Sequence, residues 1–492
     1  MPPAQSASAL RLSPNDCPSH VTCAPSVGSR HFDKLDDEAR ALNESWRQVA
    51  RVVALTGLLA VFVWAACAVL RHLVHLASEW VVEHAEERTA TGAAVLLGAL
   101  VLGGTARALL YRWPSWRKAA GDGMEQALAN YHVTYEQPGD DPGPRYARPD
   151  LALAAKKSLT TWLSLGSGGS GGLEAPMVSI SENLAAGFSR LFRVKSEHEL
   201  RTYQLAGIAA AVSTLLGAPF TAALFASEIA YSDRIVYRKL AYSLWAGVVA
   251  FWLNTWLRGR YVPLLSAPKH ALEYSIAELG AAALVAVAVS VPLALSYGRA
   301  MGSLDKLVGR VRPAWHGPVT ALAVGGLALG LYWGAGLHPG HVLGTGERTL
   351  AGIMSGSSEL GVLLLLLALA GKVVATGLTL GGGGSVGLLF PSMYLGGAAG
   401  ALVARLLNLL GLGLDPALFA VVGIASSLVA VVGVPLAAIA LVLEVFGKAF
   451  GPPAILACGV TYLLTLKVKV YASRLSVEAA APEPAPPPPP PG

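Results

Sequence analysis

The chain has 492 residues, 53% of them hydrophobic and 14% charged, against roughly 25% charged in soluble domains. That balance excludes a soluble enzyme and points to a protein that crosses a membrane many times. The net charge of +6 is not gathered into any run of five or more basic residues, so it belongs to membrane-flanking loops, and nucleic acid is discarded as a partner.

In chain order, residues 1–48 read as a polar arm that includes "HFDKLDDEARALNESWRQVA" (His31–Ala50) at its end. It does not have the short charged region of a secretory leader. The first apolar run, "RVVALTGLLAVFVWAACAVL" (Arg51–Leu70), has the ~20 residues needed to cross a hydrocarbon core. Arg40, Arg47 and Arg51 ahead of it place the amino terminus in the cytoplasm, with Arg71 and His72 just beyond pulling the other way. About a dozen or more candidate segments follow, among them "LGVLLLLLALAGKVVATGLTL" (Leu360–Leu380), and the shorter ones are tolerable only where protein or a water-filled cavity satisfies their backbone. The polar insert 121–150 begins with a helix-like turn and continues as loop. Cys17, Cys23, Cys67 and Cys458 are scattered, which gives neither a disulfide framework nor a CxxC metal site, and no cofactor is expected. The tail 476–492 is rich in proline, and reads as solvated rather than as a ligand for a proline-reading partner.

Within the apolar body the chain repeats itself. "GSGGSGGLEAP" (Gly166–Pro176) returns 215 positions later as "GGGGSVGLLFP" (Gly381–Pro391), with seven identities in eleven positions. "APFTAALFASE" (Ala218–Glu228) is answered by "VPLAAIALVLE" (Val434–Glu444), each glutamate nine residues past its proline. The expected membrane domain, 49–475, therefore consists of two related halves near 100–300 and 318–475. Duplicated halves interrupted by Gly and Pro at corresponding positions point to a transport site where the halves meet. The repeat alone leaves the orientation of the second half open.

Glycine permits positive φ and close approach of backbone to a ligand, and a glycine-rich turn opening a helix presents unpaired N–H groups at the positive end of the helix dipole. Such a cradle binds anions. Neither copy ends in the Lys-Ser/Thr of a Walker-type loop, so the expected ligand is a small anion held by amides. Glu174 can itself occupy the cradle, and protonation would release the cradle to a permeant ion. The second copy has Leu389 at the matching position. The plainer reading is that Glu174 only complements a helix start; intramembrane carboxylates are functional by default, which favours the gate. "GGSG" (Gly168–Gly171) also fits the Gly-x-Ser-Gly element of rhomboid-like intramembrane serine proteases, a reading that requires a histidine on a neighbouring membrane helix.

Six ordered blocks are similar to the CLC family of chloride channels and chloride/proton antiporters. "GGSGGLEAP" resembles its Gly-x-Glu-Gly-Pro region, "GGGGSVGLLFP" its Gly-x-Phe-x-Pro region, and "HPGHVLGTGERTL" (His338–Leu350) its Val-Leu-Gly-x-Gly stretch. "APFTAALFASEIA", "GVPLAAIALVLEVFG" and "KVKVYASRL" (Lys467–Leu475) match three further segments. The resemblance implies an all-α membrane protein, a homodimer with one pore per subunit, each subunit made of two inverted halves with discontinuous and half-spanning helices around a central anion pathway. By the same resemblance Glu174 is the gating glutamate, the amides of Leu173, Glu174 and Ala175 hold the outer anion, and those of Leu388 and Leu389, with the Tyr471 hydroxyl, hold the central one. A phenol suits that place because it donates a hydrogen bond without adding charge; a tyrosine anchoring a helix at the interface is the alternative.

Three departures qualify what the resemblance implies. Asp122, in "GDGME" (Gly121–Glu125), stands where the family has a serine; an ionised carboxylate there repels chloride unless it is turned away, and Asp122 with Glu125 also reads as a helix-capping pair. Ile229 replaces the second, cytoplasmic-side glutamate through which many of the antiporters pass protons. Ala175 and Leu389 replace the usual Gly and Phe. The expectation is therefore a cell-membrane protein, not an enzyme, that moves chloride or a similar small anion in a channel-like or weakly coupled manner, with strict chloride/proton exchange as the alternative. Glu228 and Glu444, late in their apolar segments, read either as a proton pair or as structural groups hydrogen-bonded to backbone at a helix end, and Lys372 either adds positive potential to the anion route or snorkels.

Overall fold

The computed structural model describes residues 46–85, 88–133, 151–194, 197–230, 235–259, 265, 274–356 and 360–465. Among these residues the chain is helical, and its only extended pairings are two single-residue bridges. The amino-terminal arm, most of the polar insert, Tyr471 and the proline-rich tail lie outside the described residues.

The helices begin with α1 (Trp46–Ala85), α2 (Ala90–Leu110), α3 (Met124–Val133), α4 (Leu151–Thr161), α5 (Glu174–Leu191), α6 (Glu197–Leu216), α7 (Pro219–Ala230) and α8 (Tyr237–Arg258). Then come α9 (Ile276–Pro292), α10 (Gly298–Val308), α11 (His316–Ala335), α12 (Glu347–Met354), α13 (Val362–Gly381), α14 (Leu389–Asn408), α15 (Pro416–Ser427), α16 (Pro435–Leu441) and α17 (Gly451–Thr465). The polar insert does open as a helix, α3, and Asp122 accepts a hydrogen bond from the Met124 N–H at 3.2 Å at its start. Asp415 does the same for Ala417 at 2.9 Å ahead of α15, while Ser275 and Glu278 form a capping box on α9.

Among the described residues, six helices are long and apolar enough to cross a membrane: α1, α2, α8, α11 with its preceding turn, α13 and α14. Four others are apolar but shorter, α7 and α16 among them. The many candidate segments of the sequence thus divide into full spans and partial ones. Pro219 and Pro435 occupy the first turn of their helices, where a missing N–H costs nothing. The partial helix α15 is enclosed: every residue after Pro416 is buried, as an all-apolar helix in a core requires. The α1 and α8 helices instead turn Phe62, Val69, Trp252 and Trp256 outward.

The repeat is visible as a set of exchanged bonds. Gly172 N–H donates to the Gly387 carbonyl at 2.8 Å, and Gly387 N–H donates back to Gly172 at 2.7 Å. These two residues are partners in the repeat, and their bridge is antiparallel. The Ser164 hydroxyl oxygen accepts from Ser385 N–H, and that of Thr379 from Ser170 N–H; Thr161 pairs with Ser385, and Thr376 with Ser170. Glu228 takes the N–H groups of Leu436 and Ala437 at the start of α16, while Glu444 takes those of Phe220 and Thr221 at the start of α7. Each glutamate caps the other half's helix. Every pair is related by the same 215- or 216-residue step, so the two halves are related by a local two-fold that reverses chain direction: an inverted repeat.

Candidate anion site where two helix starts meet

Three irregular segments converge at the local two-fold. Gly171 N–H donates to the Gly344 carbonyl and Gly344 N–H to the Gly169 carbonyl, both at 3.1 Å, while Gly172 pairs with Gly387. Gly171 has φ +157°, and a Cβ there would lie 2.4 Å from the Val386 Cβ. A side chain would force these segments apart. The construction leaves α5 beginning two residues after Gly172 and α14 two residues after Gly387.

What these two helices present is set by a shared proline. The first backbone donor with an acceptor in its own helix is Met177 in α5, to Leu173, and Ser392 in α14, to Leu388. Pro176 and Pro391 have no N–H at all. Each helix therefore opens on two amides without a helical acceptor: those of Glu174 and Ala175 in one half, Leu389 and Phe390 in the other. Leu173, Glu174, Ala175, Leu388 and Leu389 are all buried, and the Gly172–Gly387 bridge gathers them to one place; a Cβ on Gly387 would lie 3.0 Å from the Ala175 nitrogen.

Glu174 is 3% exposed. Its side chain folds back across Gly172 toward the second half, so that a Cβ on Gly172 would meet its Oε2 at 2.3 Å, with Pro391 and Phe390 next in distance. The amides of Glu174 itself and of Phe390 act on this carboxylate, yet Oε2 is buried and has no hydrogen-bond partner. Phe390 went unrecognised in the sequence, although it is the repeat partner of Ala175, whose amide was expected at the site.

Two buried lysines hold the frame. Lys372 donates to the carbonyls of Gly344 (2.6 Å) and Val342 (3.4 Å), and its ammonium interacts with the charges of Glu347 and Glu174. It does not snorkel: it is fully buried. Its repeat partner Lys157 donates in the same manner to Gly121 (2.6 Å) and Ala119 (3.3 Å), beside Asp122. The Asp122 carboxylate thus has an amide and an ammonium for company, which answers the repulsion expected of it. Tyr297, 2% exposed, reaches the Leu388 carbonyl at 3.4 Å; nothing in its sequence context marked it. Ile229 is buried. Ser170, the serine of "GGSG", donates to the Val342 carbonyl and pairs with Thr376, and among the described residues no histidine bonds to it, so the protease arrangement is not formed there.

An inverted helical repeat with paired helix starts at its centre defines a CLC-type anion-transport protein. Residues 98–466 match the Voltage gated chloride channel family, and the chain belongs to it. A chloride/fluoride channel protein of Pseudomonas syringae pv. tomato is 26% identical over 314 residues, 62% of this chain and 64% of that relative. The crystal structure of a CLC-type fluoride/proton antiporter superposes with a TM-score of 0.72 at 21% identity, covering 88% of this chain and 99% of the other. That of a slow cyanobacterial Cl−/H+ antiporter gives 0.72 at 17% identity, covering 86% and 96%.

Proposed function

We propose that the chain conducts chloride or a similar small anion across the cell membrane past the paired starts of α5 and α14, with Glu174 as the gate. The observation that carries this reading is the Glu174 carboxylate itself, buried, lying across Gly172 toward Pro391 and Phe390, with one oxygen lacking any donor. A carboxylate so placed competes with a permeant anion for the same amides. Protonated, it has no charge with which to compete. The amides of Leu173, Glu174 and Ala175 are assigned to the outer anion, those of Leu388 and Leu389, with Tyr471, to the central one. Asp122 is assigned to the cap of α3 rather than to the ion.

The organisation that goes with this reading is a cytoplasmic arm (1–48), a transport domain (49–475) that pairs as a homodimer, and a Pro-rich tail (476–492), with the amino terminus in the cytoplasm. It performs no bond-making chemistry. Because Ile229 cannot titrate, the mode favoured is channel-like or weakly coupled conduction. Strict exchange of chloride for protons is the second reading.

One experiment tests both points. Purified protein in liposomes, under a chloride gradient with voltage clamped by a potassium ionophore, is followed for chloride efflux and external pH together. Anion efflux that rises as pH falls, and that becomes nearly pH-independent in Glu174→Gln, is the expected result; an unchanged pH profile in that variant overturns the gate. Protons driven against their gradient at a fixed ratio to chloride would make the protein an exchanger despite Ile229.

A further inference from the structure

A cavity of about 440 Å³ lies between α1, α6 and α8, lined by Ala68, Arg71, His72, His75, Thr214, Asn254, Leu257 and Arg258. Its size is that of a small-ligand site. Its chemistry is one-sided: among the described residues it is lined by two guanidinium groups, two imidazoles and no carboxylate. The Arg71 and Arg258 charges repel one another, and the carboxylates that act on Arg71, Glu347 and Glu174, do not line the cavity. Arg71 commits Nη1 to the carbonyls of Thr214 and Leu215, which leaves its other donors for a ligand. His75 Nε2 is buried without a hydrogen-bond partner. Two like charges held near one another repel, and an anion between them offsets that repulsion.

Uncharged runs in α1 and α8 both stop at this cavity. Val52 to Leu70 in α1 carries no charged residue and spans about 28 Å as helix, close to the ~30 Å of a hydrocarbon core. Arg71 is the next residue. In α8 an uncharged run from Leu240 to Leu257 is likewise closed by Arg258. Both arginines therefore end a membrane-wide stretch on neighbouring helices. Trp252 and Trp256, 62% and 68% exposed and stacked at 6.4 Å, sit within two turns of Arg258, as interfacial tryptophans do.

We propose that this cavity is a binding site for a phosphate group at the membrane surface, gripped by Arg71, Arg258 and His75 and carried either by an anionic lipid headgroup or by a free anion. Arginine forks suit phosphate oxygens bidentately, and a basic pocket between membrane helices is a recurrent headgroup site. Nothing here depends on the gating role of Glu174.

The test is thermal unfolding of the purified full-length protein in neutral detergent, titrated separately with phosphatidylglycerol, phosphatidylcholine and inorganic phosphate. A ligand that binds only the folded protein raises the midpoint, and the rise grows with the logarithm of one plus the ratio of free ligand concentration to Kd. The midpoint is expected to rise more with phosphatidylglycerol than with phosphatidylcholine, and at least half of that difference to vanish in Arg258→Gln, whose side chain makes no hydrogen bond among the described residues, and in His75→Leu. Arg258→Lys should retain part of it. An equal rise with inorganic phosphate assigns the site to a free anion; no rise beyond phosphatidylcholine with either, or a rise that both variants retain in full, overturns the proposal.

Discussion

At the scale of single residues, Gly172 is where the backbone and the gate compete for the same space. The nearest atom to a Cβ placed there is Glu174 Oε2 at 2.3 Å, ahead of Pro391 Cδ at 3.2 Å and Phe390 Cβ at 3.3 Å. The first is the far end of a flexible side chain, and the others need shift by only a few tenths of an ångström. Gly172→Ala is therefore expected to fold and to swing the Glu174 carboxylate out of the cradle. Anion efflux from liposomes at high pH should rise toward that of Glu174→Gln, with a correspondingly flatter pH profile. Efflux that keeps the wild-type pH dependence would show that the carboxylate can gate from elsewhere. Legibility also divides residue by residue. Glu174 was readable because a lone carboxylate among glycines is unusual, and Asp122 because Asp-x-x-Glu has a capping meaning. Phe390 and Tyr297 were not, because an amide carries no side-chain signature and a tyrosine's reach to the Leu388 carbonyl depends on where α9 and its extension end.

At the scale of elements, the exchanged caps connect the partial helices. The α7 and α16 helices start at a proline inside an apolar protein, where uncapped N–H groups are expensive. Glu444 supplies three hydrogen bonds to the start of α7, at 2.6–2.9 Å, and Glu228 supplies two to the start of α16, at 2.7 and 3.0 Å. Charge-assisted bonds of this kind contribute about 1.5–3 kcal/mol each when one partner is deleted. Glu228→Ala and Glu444→Ala should both lower the apparent melting temperature of the detergent-solubilised protein. The first should do so more because Glu228 is 7% exposed, and anion selectivity of the folded fraction should stay as it was. A variant that keeps its stability but changes proton movement would place that glutamate in a proton route instead. The sequence made both glutamates legible as repeat partners. It could not show that each serves the opposite half, because the recurrence of a residue states equivalence and says nothing of contact.

At the scale of the whole molecule, the 215-residue repeat was legible as duplication, and the orientation of the second copy became visible only through hydrogen bonds between partners. A sequence pattern is the same whether its copy runs up or down a membrane; an antiparallel bridge between Gly172 and Gly387 is possible only if the two segments run oppositely. With the two-fold lying in the membrane plane, as an inverted repeat requires, the helices that leave that bridge, α5 and α14, are expected to end toward opposite faces. Leu191 closes α5, and its repeat partner Leu406 lies in the last turn of α14; they are 75% and 43% exposed. In a protein whose native cysteines have been replaced, Leu191→Cys and Leu406→Cys should react with a membrane-impermeant thiol reagent from opposite sides of sealed vesicles, one before and the other only after permeabilisation. Labelling of both from the same side would mean that the halves run parallel. The exchanged bonds would then have to be abandoned as the organising symmetry, and with them the convergence of two helix starts on one anion.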